Sequence, residues 1–364
     1  MNRDLSPNRT ALLAGAALLG LNACMTGDKE DPAPVPVEKA ILFTLTSDYK
    51  TGGYSVIGID SEFVQANIDP VHSDAVVRYE GGDDIFILNR LGRDNAQIID
   101  RHNLKTVLQF PFEAGSNPQD IALKDSLLYV AFLGTDKIGI FHQGDGKAAG
   151  EIDVSAYGDS TDNLPETFDL QFAGGALYAS TQNMDTKPKY WVPLIPHLLK
   201  IDPVSKKVIK AIELPYRNPG IMSYDSAKGM LYIPCLGSYG MNDGGILAVD
   251  LSKFEVADTV ATEEELGGDV GGTLFHAGKL FLDVNTPTAD KIIAVSTETG
   301  KAQDIAQLES YAAGGMAIDA KTSVLFFGDK KKGAARVHRF DLATFKESSE
   351  VDLGMAPIDM VVIR

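Results

Sequence analysis

Aspartate dominates the side chains that could do chemistry in this chain. Asp74, Asp120, Asp169, Asp269 and Asp359 recur at wide intervals, each close to the start of an apolar stretch. If those stretches close into a ring, the five carboxylates would surround the mouth of its channel. Asp120, Asp169 and Asp359 are then the candidate metal ligands, and an all-oxygen set suits Ca²⁺ or Mg²⁺. The competing reading is that an aspartate at a strand start is turn chemistry, which needs neither metal nor cofactor. The six histidines, at 72, 102, 142, 197, 276 and 338, show no paired spacing, which argues against zinc or copper. A GxSxG elbow, a P-loop, a CxxC pair and a CxxCH haem site are all absent from the sequence. No catalytic residue is therefore assigned, and binding is favoured over catalysis.

A second group of residues suits contact rather than reaction. Residues 182–196 carry Lys187, Lys189, Tyr190 and the single tryptophan, Trp191, among Pro188, Pro193 and Pro196. Prolines limit the freedom of such a loop, and aromatics beside cations are typical of binding hot spots. Two other long loops, 155–166 and 237–245, bring Tyr157, Tyr239 and Asn242. The expected partner-binding set is Tyr157, Lys189, Tyr190, Trp191, Tyr239 and Asn242. The alternative is that Trp191 folds back over the ends of its own strands.

What must position these groups is a repeat. An aliphatic residue followed by Phe or Tyr recurs at Phe43, Phe86, Tyr129, Tyr178, Tyr232, Phe281 and Phe326, spaced 43, 43, 49, 54, 49 and 45 residues apart. A β-rich period in this range is the signature of a propeller with one four-stranded antiparallel blade per repeat. The cleanest copy runs from Asn117 to Val154, with turns at Lys124-Asp125-Ser126, Gly134-Thr135-Asp136 and Gln143-Gly144-Asp145-Gly146. Asp60, Asp100, Asp202, Asp250 and Asp341 follow apolar third strands, where an aspartate caps the N–H groups two residues on and starts a turn. These five are expected to be turn-formers, not a metal cluster. The chain enters at Ala40-Ile41-Leu42-Phe43, already a second strand, and Pro357–Ile363 reads as a first strand. The C-terminal strand should therefore join the N-terminal blade, closing the ring and hiding its edges. The fold class is all-β, a seven-bladed propeller over residues 40–364. On its elaborated face, the second-to-third-strand loops and the inter-blade connections lie together.

Asn117-Pro118, Leu128-Tyr129-Val130-Ala131, Lys137-Ile138-Gly139-Ile140 and Gly150-Glu151-Ile152 resemble the YVTN-type seven-bladed propellers. That resemblance implies the fold, while propeller functions range over binding, scaffolding and some catalysis. Propeller lactonases work with channel-mouth carboxylates and a divalent cation, so a lactonase-like hydrolase is the alternative function. Ahead of the repeat, Arg3 and Arg9 precede an apolar run from Ala11 to Leu21, the layout of a secretory signal. Leu21-Asn22-Ala23-Cys24 resembles the bacterial lipobox, which implies a signal peptide over 1–23 and a lipid on Cys24. Residues 24–39 alternate proline and read as an extended tether, roughly 45 Å at ~3.1 Å per residue. Met25 in place of Asp implies an outer-membrane or cell-surface address. The net charge of −17 repels nucleic acid and anionic lipid alike. The expected partners are an envelope protein, peptide or glycan, with membrane contact through the N-terminal lipid and no nucleic acid. Lys330-Lys331-Lys332 is expected to be a solvated loop tip.

Overall fold

The computed structural model describes residues 40–188, 191–333 and 335–364. The leader, the tether with Cys24, and the pair Lys189 and Tyr190 lie outside the described residues.

Seven antiparallel sheets follow one another along the chain, each with its first strand innermost. Blade 2 comprises Ala75–Arg78, Asp84–Asn89, Asn95–Asp100 and Lys105–Pro111, and blade 3 comprises Pro118–Lys124, Leu127–Phe132, Lys137–His142 and Ala148–Asp153. Blade 4 comprises Thr167–Ala173, Ala176–Thr181, His197–Asp202 and Lys207–Glu213, with a small hairpin, Met184–Asp185 against Val192–Pro193, between its second and third strands. Blades 5, 6 and 7 start at Ser223–Asp225, Asp269–His276 and Ala313–Asp319. Blade 1 is composite. Its innermost strand, Ala356–Ile363, pairs with Ile41–Ser47, which pairs with Gly52–Gly58. The expected closure is thus the observed one, with Ile363 opposite Ile41 and Ala356 opposite Ser47.

The core lies between blades. All seven recurrent aromatics are buried, and each apolar cluster draws on neighbouring sheets, as where Phe86 and Leu88 meet Leu128 and Val130. Second strands covered on both faces need no alternation, so they read as unbroken apolar runs. Outer strands such as Lys346–Asp352 are almost wholly exposed and correspondingly polar. Asp100, Asp202, Asp250 and Asp341 each accept a backbone N–H two residues on, at 2.8 to 3.1 Å, so they are the turn-formers their positions suggested. Asp60 instead pairs with Arg364 at 3.4 Å.

Polar latches supplement the apolar cement around the axis. Asp359 accepts the N–H of Val77 (2.9 Å), Asp120 that of Leu170 (2.8 Å) and Asp169 that of Met222 (2.8 Å), each reaching a neighbouring blade's inner segment. Blades 6 and 7 carry Gly271-Gly272 and Gly314-Gly315 at this level instead. A Cβ on Gly315 would lie 2.4 Å from the Cα of Asp359, so glycine is required for these two backbones to approach. No helix among the described residues is long and apolar enough to cross a membrane.

Candidate functional site

Strands alternate in direction, so connections into first strands and loops between second and third strands share one face. At its centre a cavity of about 430 Å³ opens on the axis. Every blade contributes to its wall: Asp359, Arg78, Gln119, Phe168, Ile221, Asp283 and Lys330, in blade order. A hollow of about 540 Å³ between blades 1 and 2, lined by His72, Asn89 and Gln97, is more open and draws on those two blades alone.

Within the channel the candidate ligands do converge: Asp120 and Asp359 pair with one guanidinium, and Asp169 lies close enough to feel its charge. Arg78 pairs through Nε with Asp120 and through Nη1 with Asp359 (3.3 Å). Burial works against the charge on Arg78, but Asp120, Asp359 and Asp169 outweigh it and keep the group protonated. Burial and the neighbouring Asp120 charge hold the Asp169 carboxyl well above its ordinary range. Burial raises Asp359 too, opposed by Arg78 and by the Val77 and Met360 amides. The positive charge these carboxylates need is thus supplied by the chain itself.

Nearer the mouth, Asp74 binds Arg90 (2.8 Å), whose other nitrogen donates to Gln119 Oε1 (2.7 Å). Opposite stand Asp283 and Lys330. Burial pushes Asp283 up, while the hydrogen bond from Asn285 (2.8 Å) and the charge of Lys330 pull it down. A Cβ on Gly271 would sit 2.0 Å from the Asp283 carboxylate, so that glycine makes room for the acid. Lys330 lines the cavity and is not a loop tip, whereas Lys331 and Lys332 are exposed as expected. Burial and the Asp120 charge push Glu80 up to about 7, although its side chain is partly exposed to solvent.

Around the mouth the rim is apolar. Tyr49, Leu91, Trp191, Tyr239, Met241 and Tyr311 are all more than half exposed, and all belong to loops of this face. On the turns of the opposite face the comparable side chain is Val204. Trp191 is 58% exposed and does not fold back over its blade. The Tyr311 hydroxyl lies near that of Tyr239 and, with some burial, pushes it up to about 12. Asn242 is exposed in a left-handed turn (φ 52°). Asp269 holds that loop through Oδ2, which accepts the N–H of Gly240 (2.7 Å), and it is not among the residues lining the channel cavity. Tyr157 is half-buried, its ring edge-on to His197 at 5.6 Å.

Sequence reasoning missed Arg78, Arg90, Gln119, Asp283 and Lys330. A signal existed for two of them. Arg78 ends the apolar run Ala75-Val76-Val77, and Asp283 interrupts Leu280-Phe281-Leu282 and Val284, in strands otherwise built for burial.

No family model matches the chain, and no curated protein matches its sequence. Solved structures do resemble its fold. A protein of Bacteroides fragilis named as a candidate 6-phosphogluconolactonase superposes with a TM-score of 0.62 at 14% identity, over 91% of this chain and all of its own. Apo AztD of Citrobacter koseri gives 0.55 at 14% identity, over 89% and 98%. Hydrazine synthase of Kuenenia stuttgartiensis gives 0.53 at 14% identity, over 72% and 74%. At such identities the likeness establishes a seven-bladed β-propeller and nothing finer.

Proposed function

We propose that this is a lipoprotein of the YVTN propeller type, exported across the inner membrane and anchored through Cys24 at the outer membrane or cell surface. Its propeller serves as a binding or scaffold module for a protein, peptide or glycan. The observation that carries the reading is the gathering of exposed aromatic and aliphatic side chains on one face, around a channel mouth with paired charges. Large apolar side chains at a rim with fixed polar groups inside are how recognition surfaces combine affinity with orientation. Photo-crosslinking in envelope extract tests it. Trp191→Ala with Tyr239→Ala should cut capture at least tenfold at unchanged melting temperature, while Val204→Ala on the opposite face changes nothing. Equal capture by all three proteins moves the site elsewhere. The anchor has its own test: Cys24→Ser should shift the protein to the soluble fraction, and continued membrane retention refutes lipidation.

A second reading, a lactonase-like hydrolase, draws support from the raised carboxyl of Asp283 beside Lys330 on the wall of the same cavity. A buried acid beside an amine is a usual place for proton transfer. Hydrolysis of a phosphorylated and a plain δ-lactone, with and without Ca²⁺, decides it. Turnover abolished by Asp283→Asn supports it, and no turnover above background sinks it.

A further inference from the structure

Away from the channel, a second set of carboxylates lies in the connection from blade 3 to blade 4. Oxygens of Asp159, Asp162 and Glu166 lie within 4.8 Å of one another. Among the described residues no lysine, arginine or histidine pairs with any of them. Local hydrogen bonds use only part of the set: Asp159 Oδ1 accepts the N–H of Thr161 (2.5 Å), Asp162 Oδ1 that of Leu164 (2.9 Å) and Oδ2 the Thr186 hydroxyl (3.5 Å), and Glu166 Oε2 the N–H of Met184 (2.9 Å). Asp159 Oδ2 and Glu166 Oε1 are buried with no donor, as are Thr161 Oγ1 and Asn183 Oδ1. Glu166 and Asn183 are 4% and 3% exposed. Asn183 adjoins the cluster, because its N–H reaches the Pro165 carbonyl (3.4 Å) while Met184 binds Glu166. Its Nδ2 donates to the carbonyl of Tyr157 (3.0 Å), which fixes Oδ1 as the free acceptor. Both Glu166 and Asn183 hold left-handed backbone (φ 45° and 50°).

A buried acceptor without a donor costs ~1–3 kcal/mol, and more for a charged group. Four such oxygens, two of them on acids packed against a third, would be a large penalty in any fold. A cation removes all of it at once. We propose that Asp159, Asp162 and Glu166, with Asn183 and the Thr161 hydroxyl, form a Ca²⁺ site that ties the blade 3–4 connection to the insertion carrying Trp191. The donors are all oxygen, which disfavours zinc and copper. Several come from the protein on an irregular loop, which suits the 6–8 flexible ligands of Ca²⁺ better than the octahedral, water-retaining Mg²⁺.

The tie also reaches the exposed rim. Asn183 and Met184 lead into the hairpin that pairs Met184 with Pro193 and Asp185 with Val192, and Trp191 stands just before its return strand. Because Trp191 is the only tryptophan, its emission reports on the site without any knowledge of a partner.

The test is calorimetric Ca²⁺ titration of the EDTA-treated full chain, followed in parallel by Trp191 emission and by melting temperature. One Ca²⁺ should bind with a Kd of about 10⁻³ M or tighter, the weak limit for extracellular modules. It should change Trp191 emission and raise the melting temperature, with Mg²⁺ at least tenfold weaker. Asp162→Asn and, separately, Asp159→Asn should weaken binding at least 30-fold while matching the wild type's melting temperature in EDTA. Glu347→Gln with Glu350→Gln, in the exposed cluster around His338, should bind Ca²⁺ as the wild type does. No heat and no thermal shift at 5 mM Ca²⁺ overturns the proposal. So does binding that survives both loop variants.

Discussion

Two groups of carboxylates in this molecule are built from the same residue types and meet opposite fates. On the channel axis, Asp120, Asp169 and Asp359 surround Arg78, and among the described residues none of their buried oxygens lacks a donor. In the blade 3–4 connection, no cationic side chain among the described residues pairs with Asp159, Asp162 or Glu166, and buried oxygens are left unmatched. The first group is self-sufficient: its countercharge comes from the chain, and each acid also latches an adjacent blade. The second, by our proposal, is completed by a cation. Acid clustering alone thus says little about metal binding. What discriminates is whether a guanidinium and backbone amides already satisfy the cluster.

The contrast breaks most visibly at Arg78. Arg78→Ala strands Asp120 and its partners in a buried setting, and losing one side of such a pair typically costs about 3–5 kcal/mol. Chemical denaturation should show a loss of that size, partly restored by Arg78→Lys. A loss below ~1 kcal/mol would mean the channel acids do not need their arginine. Asp120→Asn is gentler, since the amide oxygen can still accept from Leu170 but no longer pairs with a charge. It should cost about 1.5–3 kcal/mol, the range for hydrogen bonds to charged groups.

A third carboxylate with its own cation extends the rule to the ring closure. Arg364 binds Asp319 in blade 7 and Asp60 in blade 1, while its carbonyl accepts from Arg101 in blade 2 (2.8 Å). Burial alone would raise Asp319, but hydrogen bonds from Arg364 and Thr322 and the guanidinium charge hold it down to about 2. A depressed carboxyl stabilises the fold above its unfolded pKa of about 3.9 and loses that contribution as pH falls towards 2. The loss should be about 1–2 kcal/mol, reduced by the partial exposure of Arg364. Urea titrations between pH 5 and 2 should show it in the wild type and not in Arg364→Met. A parallel slope in both proteins would remove Arg364 from the closure.

The fold was legible because its signal is repeated. Seven buried aromatics at near-constant spacing report one physical demand, that every blade bury its second strand against both neighbours. The turn aspartates were legible for the same reason, being local and repeated. The channel site was not, because Arg78, Arg90 and Asp283 are single residues whose meaning depends on strands far apart in sequence. Asp120 and Asp359 could be placed near one mouth, yet nothing local to either shows that Arg78 stands between them. The opposite held at Asp269, whose position matches the channel set but whose carboxylate turned to a loop within reach. The rim was half-legible: Trp191 and Tyr239 declared themselves by residue type and loop length, while Tyr157 packed against His197, a contact made across the fold.

The smallest expected effect is the most discriminating. In EDTA, Glu166→Gln removes an acid that burial and the Asp162 and Asp159 charges push up to about 8, and keeps an oxygen for the Met184 amide. A substitution that relieves like-charge repulsion without opening a cavity should fall within about 1 kcal/mol of the wild type, on the stabilising side. The matching change in the channel, Asp120→Asn, destabilises, so isosteric amides at two buried acids should move stability in opposite directions. Adding Ca²⁺ should invert the loop result alone, because the wild type then gains a ligand that Glu166→Gln binds more weakly, while Asp120→Asn keeps its deficit at every Ca²⁺ concentration. If both amides destabilise equally in EDTA, the loop acids are satisfied after all, and the difference between the two clusters disappears.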